Sequence, residues 1–419
     1  MKLKIILLVS IFCFGFDVSE IEYPIDGYES TGIKRLKRLQ LIESDDLSGR
    51  KLIKGATKSI KDIKLNLPTV FRDDAAVLFQ RDSALQKKLE ELFPNLHESY
   101  SVALMDVSEG KQTRYAAHQE TRYFQPGSVG KLAIVVGFFN ELSKIYPDSF
   151  ELRKELMRTR SVKAGQWGIY DEHTVPFFNI ETNKLVKRQV TPQDIFTLYE
   201  WVDHMMSVSN NGAASIVWRE AILMNAFGKN YPTLTQEKAD EYFKETSRSV
   251  LMDLQLEVVN TPLRTLGIGH DEWRLGTMFT RGASGIIPGK GGSAGSPLGL
   301  MKFLVALERG VIVDYLSSLE IKRLMYMTDR RIRYGANRKL RDAALYFKSG
   351  SLYSCDRSRG GGCGKYKGNV KNYMNSVAIV EQPDGNTYLV VLMTNVLRKN
   401  SNIDHNVLAG RIDKIVRES

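Results

Sequence analysis

Pro126-Gly127-Ser128-Val129-Gly130-Lys131, followed by the apolar run Leu132-Ala133-Ile134-Val135-Val136-Gly137-Phe138-Phe139, is the stretch on which the reading of this chain turns. A Pro-Gly break before an uninterrupted apolar run predicts a buried helix opening at the serine. The spacing of three sets Lys131 one turn beyond Ser128 on the same face. A serine hydroxyl is a weak nucleophile until a neighbour removes its proton. A lysine removes it only when neutral, which takes burial or a second cation nearby. The start of a helix also aims unpaired N–H groups at a developing oxyanion, so the Ser128 amide is a candidate half of an oxyanion hole. By itself, S-x-x-K more often marks a capping serine and a snorkelling lysine, and it recurs at Ser48-Gly49-Arg50-Lys51 with nothing around it.

Two later strings change that balance. Ser209-Asn210-Asn211 is the one S-x-N of the chain, and it runs into the small residues Gly212-Ala213-Ala214-Ser215. This reads as a loop entering a tightly packed helix. Ser209 is placed to pass a proton to a leaving nitrogen, and Asn211 to hold a substrate amide through its donor and acceptor together. Lys348-Ser349-Gly350 is the one K-[ST]-G, and the apolar lead-in Ala343-Ala344-Leu345-Tyr346-Phe347 suits a sheet strand. Gly350 permits close backbone approach by a substrate. Lys348 and Ser349 suit a substrate carboxylate, Lys348 is also a candidate second cation for Lys131, and the Ser351 N–H would complete the oxyanion hole. In isolation the first of these two strings reads as a helix cap and the second as a polar strand end.

As an ordered set the three strings resemble those of the penicillin-recognising serine hydrolases, most closely the class A β-lactamase branch. The likeness extends to Arg122-Tyr123-Phe124-Gln125-Pro126-Gly127 before the serine and to Asn211-Gly212-Ala213-Ala214. It continues through Ser296-Pro297-Leu298-Gly299-Leu300 with Leu307-Glu308-Arg309-Gly310, and residues 375–394 with their Pro383-Asp384-Gly385 turn. It implies an α/β (α+β) fold of two lobes, in which an antiparallel sheet is flanked by N- and C-terminal helices and an α-helical lobe is inserted. It also implies an acyl-enzyme on Ser128, no cofactor and no metal. Two departures stand out. Class A enzymes carry a deacylating glutamate between the second and third strings, but no Glu-Pro-x-x-Asn occurs there; Glu257 and Glu272 are the candidates. The arginine that many relatives carry at the start of the penultimate strand is replaced by Asn375.

Composition bounds the rest. The basic start (Lys2, Lys4) and apolar residues 5–16 are too short for a membrane span and suit a secretory signal over residues 1–16, with Cys13 and Gly15 before a cleavage point. A lipid-modified Cys13 is the lesser reading, because Phe12 is bulky. Of three cysteines, Cys355 and Cys363 then remain, and in a periplasmic or secreted protein a disulfide between them is expected. The six histidines are scattered, which argues against a metal-dependent hydrolase. Net charge is +11, partly from a basic run that includes Lys34, Arg35, Lys37, Arg38, Arg50, Lys51, Lys54 and Lys58. Such a run suits a solvated face or contact with anionic lipid or wall polymer. Nucleic acid is not expected as a partner of an exported chain that carries no aromatic-basic motif.

The chain is expected to divide into a basic extension (17–78) and a hydrolase domain (79–417). Residues 79–127 and 342–417 would form the α/β lobe and 128–341 the helical lobe. A capped helix should open at Ser83, with Leu85, Leu89, Leu92 and Phe93 on one face. Strands are expected at 101–107, 113–117, 345–348, 376–380 and 388–393, and an amphipathic helix at 407–416. The aromatic segment from Gln166-Trp167-Gly168-Ile169-Tyr170 to Pro176-Phe177-Phe178 could rim the groove or pack in the core. The first expectation for function is β-lactam opening through Ser128, with Lys131 as base. The second is a D-alanyl-D-alanine peptidase acting on peptidoglycan stem peptides, and the third a wall or sensor protein that is acylated without turnover.

Overall fold

The computed structural model describes residues 26–68, 75–360 and 362–418, so the expected leader lies outside the described residues. One five-stranded antiparallel sheet organises the chain. Its strands are β1 (Ser101–Asp106), β2 (Arg114–His118), β3 (Ala344–Ser354), β4 (Lys371–Glu381) and β5 (Thr387–Asn395), in the order β2-β1-β5-β4-β3. The central strand β5 is buried on both faces, as its continuous apolar run requires. Leu389, Val391 and Met393 point into one core and Tyr388, Val390 and Leu392 into the other, following the two-residue alternation of a strand.

Among the described residues, nine helices position the site: α1 (Lys34–Glu43), α2 (Ser83–Glu90), α3 (Lys131–Ile145), α4 (Leu198–Met206), α5 (Asn211–Phe227), α6 (Arg248–Thr265), α7 (Pro297–Glu308), α8 (Tyr315–Tyr326) and α9 (Asn402–Arg417). Terminal helices α2 and α9 cover one sheet face through Leu85, Leu89, Leu408 and Ile412. The other face meets the larger core built around α3, α7 and α8. Helix α3 is apolar almost all round because α5 and α6 also enclose it. Gly137 lets α6 approach so closely that a Cβ there would lie 2.3 Å from the Val258 carbonyl oxygen.

The expected strands and helices are present, with longer ends for β3, β4 and α9. The middle of the chain is not purely helical. Among the described residues it carries three two-stranded ribbons, pairing Ser161–Lys163 with Ile195–Thr197, Val175–Asn179 with Lys184–Arg188, and Trp273–Arg274 with Ala294–Gly295. The second ribbon is closed by a turn in which Asn183 takes a left-handed conformation (φ 54°), a geometry that asparagine tolerates well.

The basic extension is built into the body. Arg35 of α1 is buried and donates two 2.6 Å hydrogen bonds to Asp203 of α4, with a third of 2.7 Å to the Met327 carbonyl. Lys58 pairs with Glu381 at 2.6 Å. Buried Lys322 of α8 joins Glu308 and Glu381 and also donates to the Lys64 carbonyl. Part of the basic run therefore serves internal ion pairs rather than a solvated face.

Candidate active site

Ser128 sits in a short 3₁₀ turn, Gly127–Gly130, and α3 begins directly at Lys131. The helix thus opens one turn later than the sequence pattern suggests. Gly127, at φ +54°, makes the turn possible, and a Cβ on it would fall 2.9 Å from the Ser351 nitrogen. A Cβ on Gly350 would lie 2.3 Å from the Pro126 carbonyl oxygen and 3.0 Å from the Ser128 nitrogen. These two glycines bring the Ser128 turn against edge strand β3, with the amides of Ser128 and Ser351 at the junction. Asn375, fully buried on β4, holds the same turn by donating to the carbonyls of Gln125 (2.9 Å) and Pro126 (3.0 Å). It braces the Ser128 turn where the resemblance places an arginine.

Lys131 is fully buried and donates to Ser128 Oγ at 3.1 Å, to the Ser209 carbonyl at 2.6 Å and to Asn211 Oδ1 at 2.7 Å. Burial lowers its pKa to about 7, opposed by the charge of Asp171. An appreciable fraction is then neutral near pH 7 and able to take the Ser128 proton. Lys348 donates to Ser209 Oγ at 2.7 Å and to the Ser349 carbonyl at 3.3 Å. Its pKa is pushed well below the ordinary lysine value, first by burial and then by the charges of Lys131, Arg333 and Arg330. Ser209 Oγ lies between the two amines, 3.4 Å from Lys131 Nζ. Its left-handed backbone (φ 63°) also turns its carbonyl to Lys131, and such conformations in non-glycine residues cluster at functional sites.

Asn210 caps α5 by accepting from the Ala213 amide at 2.6 Å, which fixes the loop that presents Ser209 and Asn211. Asn211 does not leave its amide free for a substrate. Its Oδ1 holds Lys131 and its Nδ2 donates to Asp171 at 3.0 Å. Asp171 accepts further bonds from the Asn211 amide (2.6 Å) and from His173 (2.6 Å). Burial alone would raise the Asp171 carboxyl. His173, Lys131 and the Asn211 amide outweigh it and hold the pKa below the usual aspartate value. Asp171 and His173 lie inside the aromatic segment, where Trp167 packs in the core and Tyr170 is exposed. Sequence reading missed both; the buried acceptor needed at the start of α5 is the signal that could have found Asp171.

Neither candidate glutamate comes to the serine. Glu257 is exposed on α6. Glu272 accepts from the Gly269 amide at 2.7 Å and pairs with Lys302 at 2.5 Å, and it does not line the cleft at Ser128. The chain between α6 and α7 instead sends apolar groups to the Ser128–Lys131 turn. The Phe279 ring lies 5.1 Å from Lys131 Nζ, and Leu275 and Phe279 close on Gly130. Among the described residues, no carboxylate hydrogen-bonds to Ser128 or Lys131.

The cleft at Ser128 is narrow (≈ 60 Å³) and its far wall is cationic, with Lys348, Arg330 and Arg333. Buried Arg333 donates to the Gly350 carbonyl at 2.6 Å, and its guanidinium lies 5.3 Å from the Tyr366 ring. The two arginines stand in the segment between α8 and β3, where no sequence motif marks them. Cys355 and Cys363 are joined, as expected, and close a loop just beyond β3.

A serine with a buried lysine of lowered pKa at hydrogen-bond distance, backed by two amides at the edge of a sheet, is the arrangement of a serine hydrolase. The family model described as the β-lactamase enzyme family matches residues 84–417, and the chain belongs to that family. Its fold is shared with the extended-spectrum β-lactamase TLA-3 (11% identity, TM-score 0.53), the match covering 80% of this chain and 98% of that one. A class A β-lactamase from Bacteroides cellulosilyticus (14%, TM-score 0.51) is matched over 81% of this chain and 98% of its own. The same coverage and identity hold for a point mutant of PBP-A in its acyl-enzyme complex with penicillin G, at TM-score 0.50. A search of curated protein sequences returns no match.

Proposed function

We propose that the protein is an exported penicillin-binding acyl-serine enzyme that forms a long-lived adduct with β-lactams and cleaves peptides ending in D-alanyl-D-alanine. Neutral Lys131 takes the Ser128 proton as Oγ attacks the carbonyl carbon, and the amides of Ser128 and Ser351 hold the oxyanion. As the C–N bond breaks, Lys131 returns its proton through the Ser209 hydroxyl to the departing nitrogen, leaving an ester on Ser128. Lys348 and Arg333 suit the free carboxylate that both β-lactams and peptide C-termini present. The disulfide supports an oxidising, extracytoplasmic setting.

One observation carries the choice against rapid turnover: Phe279, rather than a carboxylate, faces Lys131. Hydrolysis of the ester needs a base on an approaching water. After peptide cleavage the free D-alanine leaves and opens room for a water whose proton Lys131 can take. An opened β-lactam stays tethered to the acyl group and keeps that room filled. The sequence expectation of β-lactam turnover rested on the overall resemblance to class A enzymes, with Glu257 and Glu272 as candidate bases; with neither at Ser128, the penicillin-binding reading is better supported. Labelling with a fluorescent penicillin, with D-alanine release from a peptide ending in D-alanyl-D-alanine measured alongside, tests the reading. Wild type should do both and Ser128→Ala neither. Equal labelling of Ser128→Ala would remove the nucleophile, and labelling without D-alanine release would remove the peptidase.

A further inference from the structure

Beyond Ser351 the narrow cleft opens into a second, larger space of ≈ 380 Å³. His173, Arg330, Ser351 and Tyr366 line both spaces, so anything attached to the acyl carbon of a substrate held at the Ser351 amide can enter it. Its outer wall comes from the chain just past the Cys355–Cys363 disulfide, through Lys365 and Tyr366, and from the end of β3, through Tyr353. Strand β3 is the sheet edge, so this wall is not covered by another strand.

The charges on the wall are unbalanced. Among the described residues, neither Arg330 nor Lys365 is in an ion pair, and the Lys365 ammonium sits 5.6 Å from the Tyr366 ring centre. Arg333 lies over the same ring from within the protein. Tyr366 therefore forms a shelf between two cations. Among the described residues, Glu172 is the one carboxylate on the cavity wall, and the neighbouring Asp171 is committed to Asn211 and His173. The first cleft already holds Lys348 and Arg333 for one substrate carboxylate. Arg330, shared by both spaces, and Lys365 are a further pair of cations on the wall of the larger one.

We propose that this cavity is an anion subsite, and that preferred substrates carry a second carboxylate on the acyl side chain, close to the scissile carbonyl. Lys365 and Arg330 receive it, and the Tyr366 shelf receives the apolar part of the same side chain. The proposal rests on the acyl-enzyme reading of Ser128 and adds the substrate class to it.

Two penicillins that differ by one group make the test: benzylpenicillin, and the same molecule with a carboxylate on the side-chain carbon next to the amide. Second-order acylation rate constants are measured for both at pH 7 and low ionic strength. In wild type the dianionic drug should react about fivefold faster, a ratio suited to partly exposed charge pairs. Lys365→Ala should bring the ratio close to one while leaving benzylpenicillin unchanged, Lys365→Glu should invert it, and Glu172→Gln should raise it. Equal or slower reaction of the dianionic drug with wild type would overturn the subsite. A proportional loss for both drugs in Lys365→Ala would overturn it too, by showing a general effect on the loop. No acylation by either drug would instead overturn the acyl-enzyme reading, and the subsite with it.

Discussion

Removing the charge of Asp171 while keeping its shape, as in Asp171→Asn, should move acylation of Ser128 to lower pH. In the wild type Lys131 titrates at about 7. It is then about one-tenth neutral at pH 6 and about nine-tenths at pH 8, so acylation should rise roughly tenfold across that interval. Asp171 stabilises the ammonium form through Asn211, which accepts from Lys131 at 2.7 Å and donates to Asp171 at 3.0 Å. For unit charges roughly 7 Å apart, a separation of the order that two hydrogen bonds and one amide span, Coulomb's law applies directly. At an effective dielectric near 20 this is worth about 2 kcal/mol, which corresponds to about one to two pH units. Loss of the carboxylate removes a stabiliser of the charged lysine, so the lysine pKa falls and the neutral base persists to lower pH. Stopped-flow acylation by a chromogenic cephalosporin from pH 4.5 to 9 measures the midpoint. Any shift of Asn211 would lower the plateau, whereas the midpoint reports the charge. A midpoint that stays at about 7 or moves upward would refute the electrostatic link between Asp171 and Lys131.

Three further outcomes follow from the same geometry. Phe279→Glu should place a base beside Lys131 and shorten the life of a penicillin adduct by at least about tenfold, the low side of general-base assistance; intact-mass time courses measure it. Arg35→Ala strips buried Asp203 of its partner and should cost about 3–5 kcal/mol in urea unfolding, whereas a loss under about 1 kcal/mol would show that the extension is dispensable. Lys131→Met should gain stability relative to wild type most at low pH. The native lysine titrates at about 7 and the unfolded one near 10.5, so the penalty of the buried charge is full below pH 7 and fades toward 10.5. The advantage of the variant should therefore be about 2–3 kcal/mol smaller at pH 9 than at pH 6, and a pH-independent difference would contradict the assigned titration.

Local pattern makes Ser128, Lys131 and the strand at Lys348 legible, because each owes its position to a short string and an adjoining apolar run. The same holds for the sheet, whose five strands are marked by buried runs and turns. Asp171, Phe279, Arg330 and Arg333 escape such a reading because they reach the site from irregular chain, where tertiary packing alone decides which side chain arrives. Asn211 is legible as a residue of the site but not in its role, since its sequence context gives no sign that Asp171 would occupy its donor. Glu257 and Glu272 stand out only by residue type within an interval. Their surroundings show the weakness of that criterion: one faces solvent on α6 and the other is held by Lys302 and Gly269. The extension carries charge without periodicity, and its order comes from long-range pairs such as Arg35 with Asp203.

The central claim is that Ser128 is readily acylated by a β-lactam and only slowly released, because an aromatic ring stands where a base would be needed. Intact-mass spectrometry of the wild-type protein after a stoichiometric addition of benzylpenicillin measures this directly. The account predicts one added penicillin mass per chain, located on the peptide containing Ser128 and persisting for hours. Return of the unmodified mass within minutes, with opened drug accumulating in solution, would contradict it.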